Sequence, residues 1–178
     1  MEAFSRGLVV MVFLVAVLSK VRDGRHFREF ADSVAALRLL PAGMAGPVAV
    51  LVAGAELMVC ALLVALPARA ATACGLGLAA AMLGGFAAAI ATGLRRGVTA
   101  SCRCFGGSLS APFGWHHVIR NVTLGLISLS GAYAVLQQPT TDLAALAVTA
   151  PFALLVAALT IRLDDLVELF RPVSTSGR

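Results

Sequence analysis

Two cysteines one residue apart, Cys102 and Cys104, stand in a polar stretch, RRGVTASCRCFGGSLSAPFGWHHVIRN, inside a chain otherwise dominated by aliphatic residues. Three chemistries fit them: a redox-active thiol pair, a metal site completed by His116 and His117, or two inert thiols in a connecting loop. A disulfide needs Cα atoms ~4.4–6.8 Å apart, which an extended or turning tripeptide meets with some strain. Strained, exposed disulfides are labile and suit exchange better than stapling. Positive charge from Arg95, Arg96 and Arg103 favours the thiolate, the species that exchanges. Phe105, Gly106 and Gly107 follow as a tight turn, glycine allowing the backbone angles that a small ring requires. The C-x-C and adjacent-histidine spacings are tighter than the loops zinc usually selects, so no metal is assigned. His116 or His117 would serve as proton acceptor during exchange. With Trp115 the two also form an amphipathic cluster of the kind found at membrane interfaces.

A second chemical residue is Glu56, embedded in VAGAELMVC. A carboxyl group at membrane depth costs ~2.5–3.5 kcal/mol on insertion scales, so it calls for a partner or a task. A proton path, a hydrogen bond to a quinone-like ligand and a structural bond to a neighbouring helix all remain open. Cys60 and Cys74 read as small buried apolar residues.

The elements that must position these groups are membrane spans. Of the 178 residues, 60% are hydrophobic and 13% charged, with mean hydropathy +0.93. Soluble domains carry about a quarter charged residues, so this chain cannot clothe a globule in solvated side chains. Five apolar segments approach the length that crosses ~30 Å of hydrocarbon. They run from Phe4 to Val21, Met44 to Leu66, Ala70 to Leu94, His117 to Leu136 and Leu143 to Leu163, the last kinked at Pro151. Lipid admits helices or closed barrels, and these runs lack strict alternation, so the fold class is an all-α integral membrane bundle. Residues 1–172 form one domain, with 173–178 a disordered tail. No cleavage site follows the first apolar run, which therefore reads as a retained span. The segment Val21 to Pro41 repeats Phe27, Phe30, Val34, Leu37 and Leu40 at spacings of three and four, giving an interfacial amphipathic helix near His26 to Leu40. Glycines 75, 77, 84, 85 and 93 in the third span point to close helix contacts and to that span as the bundle's centre.

Net charge is +5. With 6% aromatics and basic residues lying between apolar runs, the charge speaks for topology and anionic lipid rather than nucleic acid. Twelve Lys and Arg fall on one side of five spans, and Arg6 and Arg69 alone on the other. That puts the N-terminus outside, and the C-terminus and the Cys102/Cys104 loop on the cytoplasmic side of the cell membrane. Oxidative maturation would need the opposite side, and charge counting does not reconcile the two.

The succession LSKVRDGRHFREFADSVAALRLLP, GAELMVCALL, RRG…SCRCFGG and HHVIRNVTLGL resembles the methylamine-utilisation MauE family of DoxX-like membrane proteins. The resemblance covers about Leu8 to Leu136. It carries family features onto Ser19, Lys20, Pro41, Glu56, Cys102, Cys104, Phe105, Gly106, Arg120 and Asn121. It implies five spans and a thioredoxin-like partner. It also implies a part in methylamine metabolism, the maturation of the disulfide-rich small subunit of methylamine dehydrogenase. Many members look like C-G-C-F-G; here Arg103 replaces the glycine, stiffening the turn and adding charge. Two functions follow: a redox membrane protein passing electrons between the partner and a membrane carrier, with a quinone as the candidate cofactor, or a non-catalytic scaffold or transport component with a structural C-x-C loop.

Overall fold

The computed structural model describes residues 2–41, 43–65, 68–98, 114–137, 151 and 153–158. Five helices follow in order: α1 (Glu2–Val21), α2 (Gly24–Ala36), α3 (Ala45–Val64), α4 (Arg69–Arg95) and α5 (Trp115–Gln137). Among the described residues, four of these (α1, α3, α4 and α5) are long and apolar enough to span a membrane. They match the first four expected spans to within two residues at each end. Of the expected fifth span, 151 and 153–158 are described; they are helical, and Ala153 and Ala157 join the apolar core. The rest of that span and the tail from 173 lie outside the described residues.

Local chemistry sets the helix ends. Asp23 caps α2, its Oδ1 accepting from the backbone N–H of Arg25 (2.9 Å) and His26 (3.0 Å). The exposed Asp23 carboxyl is held down at about 2, first by the His26 side chain and then by these N–H groups. Helix α4 closes on itself through Gly97 at φ 72°. The Val98 N–H reaches back to the Gly93 carbonyl and the Gly97 N–H to that of Leu94, which is the six-to-one, five-to-two pattern of a glycine-terminated helix.

Helix α1 is the hub. It touches α2, α3, α4 and α5, and a Cβ on its Gly7 would lie 3.4 Å from Ala153. Helix α4 packs against α1, α3 and α5, its most extensive contact running along α5. Among the described residues a Cβ at Gly77, Gly84 or Gly85 would meet nothing within 4 Å, so these glycines serve no close contact with them. The glycines that do are Gly75, where a Cβ would come within 2.9 Å of Leu63 Cδ2, and Gly131, where it would come within 2.5 Å of Ser5 Cβ. The Ser5–Gly131 approach fixes α1 and α5 side by side and antiparallel.

At one end of the bundle both arginines cap helices. Arg6 Nε donates to the Leu63 carbonyl at 2.7 Å, in the last turn of α3. Arg69 Nη2 donates to the carbonyls of Val135 (3.0 Å) and Leu136 (3.2 Å), at the end of α5. Cations at helix C-termini satisfy orphan carbonyls and oppose the helix dipole.

Candidate functional site

The polar side chains gather toward the other end. Helix α4 finishes there at Arg95, and α5 starts there at Trp115. Cys102, Arg103, Cys104, Phe105 and Gly106 fall between them and lie outside the described residues; so does any contact of theirs with the histidines. On α5, His117, Arg120 and Asn121 recur at the three-and-four spacing of one helix face, and all are buried. The His116 and His117 rings stand 4.0 Å apart, tilted by 42°, rather than diverging to separate sides. His116 folds back so closely that a Cβ on Gly114 would come within 2.5 Å of its ring. Among the described residues the buried Asn121 Oδ1 has no hydrogen-bond partner. Trp115 is 53% exposed, as suits an interfacial ring.

Glu56 supplies a buried ion pair in this half. Lys20 Nζ donates to its two carboxylate oxygens at 2.7 and 2.9 Å, and both side chains are 2% exposed. Phe30 of α2 covers the ammonium, its ring centroid 4.6 Å from Nζ. The ion pair thus ties α1 to α3, and its aromatic cover ties both to α2. Side-chain direction explains how the two residues meet. Side chains on a helix lean toward its N-terminus. Lys20 therefore runs back along α1, its Nζ reaching 3.4 Å from the Ala16 carbonyl one turn earlier. Glu56 sits on a neighbouring helix of opposite direction and leans the other way. Of the roles open to Glu56, the structural bond to a neighbouring helix is the one observed.

The charge count takes Lys20 as a topological charge at a helix end, where lysines usually snorkel outward to water, and the family resemblance marks the position without giving it a partner. One signal was available: Lys20 is the only lysine in the chain, against thirteen arginines. A compact ammonium on a flexible stem can be buried against a carboxylate where a planar guanidinium would demand more room and more acceptors.

Cys60 is buried one turn after Glu56, and Cys74 is exposed on the surface of α4, contrary to its expected burial; both are free thiols. Among the described residues no three His, Cys, Asp or Glu side chains gather as metal ligands.

Residues 1–135 match the family model described as methylamine utilisation protein MauE. A curated relative from Paracoccus denitrificans, described as methylamine utilization protein MauE, is 36% identical over 126 residues. The match takes in 70% of this chain and 64% of that relative, so it spans slightly under two thirds of the relative's length. No solved structure matches.

Proposed function

The chain belongs to the MauE family of multi-pass membrane proteins, and on that footing we propose that it supports methylamine utilisation through thiol–disulfide exchange at Cys102 and Cys104 with a thioredoxin-like partner. In this reading a partner thiolate attacks one sulfur of the Cys102–Cys104 disulfide and the other cysteine leaves as thiolate. The partner's second thiolate then displaces the mixed disulfide. The partner departs as a disulfide, and Cys102 and Cys104 have gained two electrons and two protons. A membrane quinone is the chemical class that would take both onward, becoming a quinol. The protein so matured is the disulfide-rich small subunit of methylamine dehydrogenase.

The observation that carries this reading is the placing of the residues that bound the C-x-C stretch. Val98 at the end of α4 and Gly114 before α5 belong to one end of an antiparallel helix pair. That same end carries the buried face of His117, Arg120 and Asn121. Arg95 and Arg96 are exposed there and favour thiolate in the adjoining stretch.

The test is the double variant Cys102→Ala/Cys104→Ala, followed by its level in the membrane and by the disulfide content of the dehydrogenase small subunit. The proposal expects normal insertion with loss of matured subunit. Unchanged maturation would favour the scaffold reading instead.

A further inference from the structure

Arginines at the two ends of this bundle are used differently. Arg6 and Arg69 are spent on helix carbonyls. At the opposite end α4 caps itself through Gly97, and its terminal carbonyls need no side chain. Arg95 and Arg96 are left exposed there. A third arginine joins them. Leu37, at the end of α2, seats its Cδ2 2.9 Å from the position a Cβ would take on Gly93. This contact docks the end of α2 on the end of α4 and brings exposed Arg38 to the corner that holds Arg95 and Arg96. Among the described residues none of the three donates a side-chain hydrogen bond or joins an ion pair.

Arg38 also holds a backbone angle that arginine disfavours. Its φ of 52° makes it the one non-glycine residue in the left-handed region among the described residues. The position just past a helix cap is where glycine usually stands, for want of a Cβ clash. An arginine there carries backbone strain that glycine would relieve. The helix dipole of α4 does not account for three cations, since a helix C-terminus presents only about half a negative charge. The nearest carboxylate along α2, Asp32, is six residues away, ~9 Å at the helical rise.

We propose that Arg38, Arg95 and Arg96 form a site for the phosphate of an anionic phospholipid headgroup. Guanidinium groups match phosphate oxygens in a planar, two-point geometry. The corner lies where α4 ends and α3 is about to begin, at the ends of two helices long and apolar enough to span a membrane. Leu40 (37% exposed) and Met44 (50% exposed), two and six residues after Arg38, offer apolar contact to the acyl chains, which a free anion would not use.

The experiment uses the full chain purified in mild detergent, with phosphatidylglycerol and phosphatidylcholine added in competition and bound lipid read by native mass spectrometry. A preference for phosphatidylglycerol of at least about tenfold is expected, because each basic residue at a membrane surface adds to anionic-lipid attraction. Arg38→Gln/Arg95→Gln/Arg96→Gln should abolish it. Arg38→Gly should lower the preference while raising the thermal midpoint, since glycine relieves the backbone; misfolding cannot produce that combination. A preference unchanged in the triple variant overturns the proposal. So does displacement of phosphatidylglycerol by excess inorganic phosphate, which would mark the site as one for a free anion.

Discussion

Lys20 Nζ and the Glu56 carboxylate meet at 2.7 Å inside the helix bundle, with 2% of either side chain exposed. Removing one member of such a pair strands the other charge, at a cost of about 3–5 kcal/mol, whereas replacing both by apolar side chains of similar size is often neutral. Lys20→Met and Glu56→Leu should therefore each lower thermal stability in detergent sharply, and the double variant should regain most of the loss. Because Phe30 rests on the ammonium, Lys20→Met should also speed amide exchange in α2. Single variants as stable as the parent would show that the pair does not hold α1 to α3.

The glycines of α4 divide by what their missing side chains would meet. A methyl at Gly75 would lie 2.9 Å from Leu63 Cδ2 and 3.1 Å from Leu62 Cβ, so Gly75→Ala must displace the Leu63 side chain or push α3 from α4. Overpacking of this kind costs about 1–3 kcal/mol. Gly84→Ala and Gly85→Ala meet nothing within 4 Å among the described residues and should gain about 0.5–1 kcal/mol from helix propensity. Equal melting shifts for Gly75→Ala and Gly84→Ala would contradict the packing described.

How much of this was legible in the sequence depends on the kind of signal. Apolar run length is a property of one helix, so the first four spans could be read with little error; the amphipathic α2 was legible as an element, but it ends at Ala36, four residues short of the expected Leu40. Which face of a helix meets which neighbour is a property of pairs. The glycines of α4 therefore looked alike in sequence, although Gly75 meets Leu63 and Gly84 meets nothing within 4 Å. The need of Glu56 for a partner followed from its cost in lipid. The partner's identity did not, because Lys20 had to turn inward from a helix end where water is the usual destination. The cysteines announced themselves by type and spacing alone, and those are signals of chemistry rather than of place.

Arg69 closes the end of α5 by donating to Val135 and Leu136. Hydrogen bonds from a charged donor contribute about 1.5–3 kcal/mol. Arg69→Leu keeps the apolar stem and removes the donors. It should fray the last turn of α5, seen as faster amide exchange there, while the end of α3, capped by Arg6, stays protected. Uniform loosening of both helices would argue against separate caps.

Asp23 governs the first turn of α2 and carries a pH signature. Its carboxyl is held at about 2, below the ordinary 3.8, by the His26 side chain and the capping N–H groups. A depressed carboxyl stabilises the fold fully above the unfolded value and loses that contribution as pH falls through the folded one. The start of α2 should accordingly stay protected above pH 3.8 and fray toward pH 2. Asp23→Asn, which still caps but does not titrate, should flatten the dependence. A parent and variant with the same profile would remove Asp23 from the account.

The central claim is that Cys102 and Cys104 cycle between disulfide and dithiol against a thioredoxin-like partner. The most direct measurement is their redox state in native membranes, trapped by acid and read as an alkylation mass shift in a Cys60→Ser/Cys74→Ser background, which leaves only the pair to report. The account predicts a mixture of disulfide and dithiol whose ratio moves when the thioredoxin-like protein is removed. A pair that stays fully reduced, at the same level with and without that protein, would contradict it.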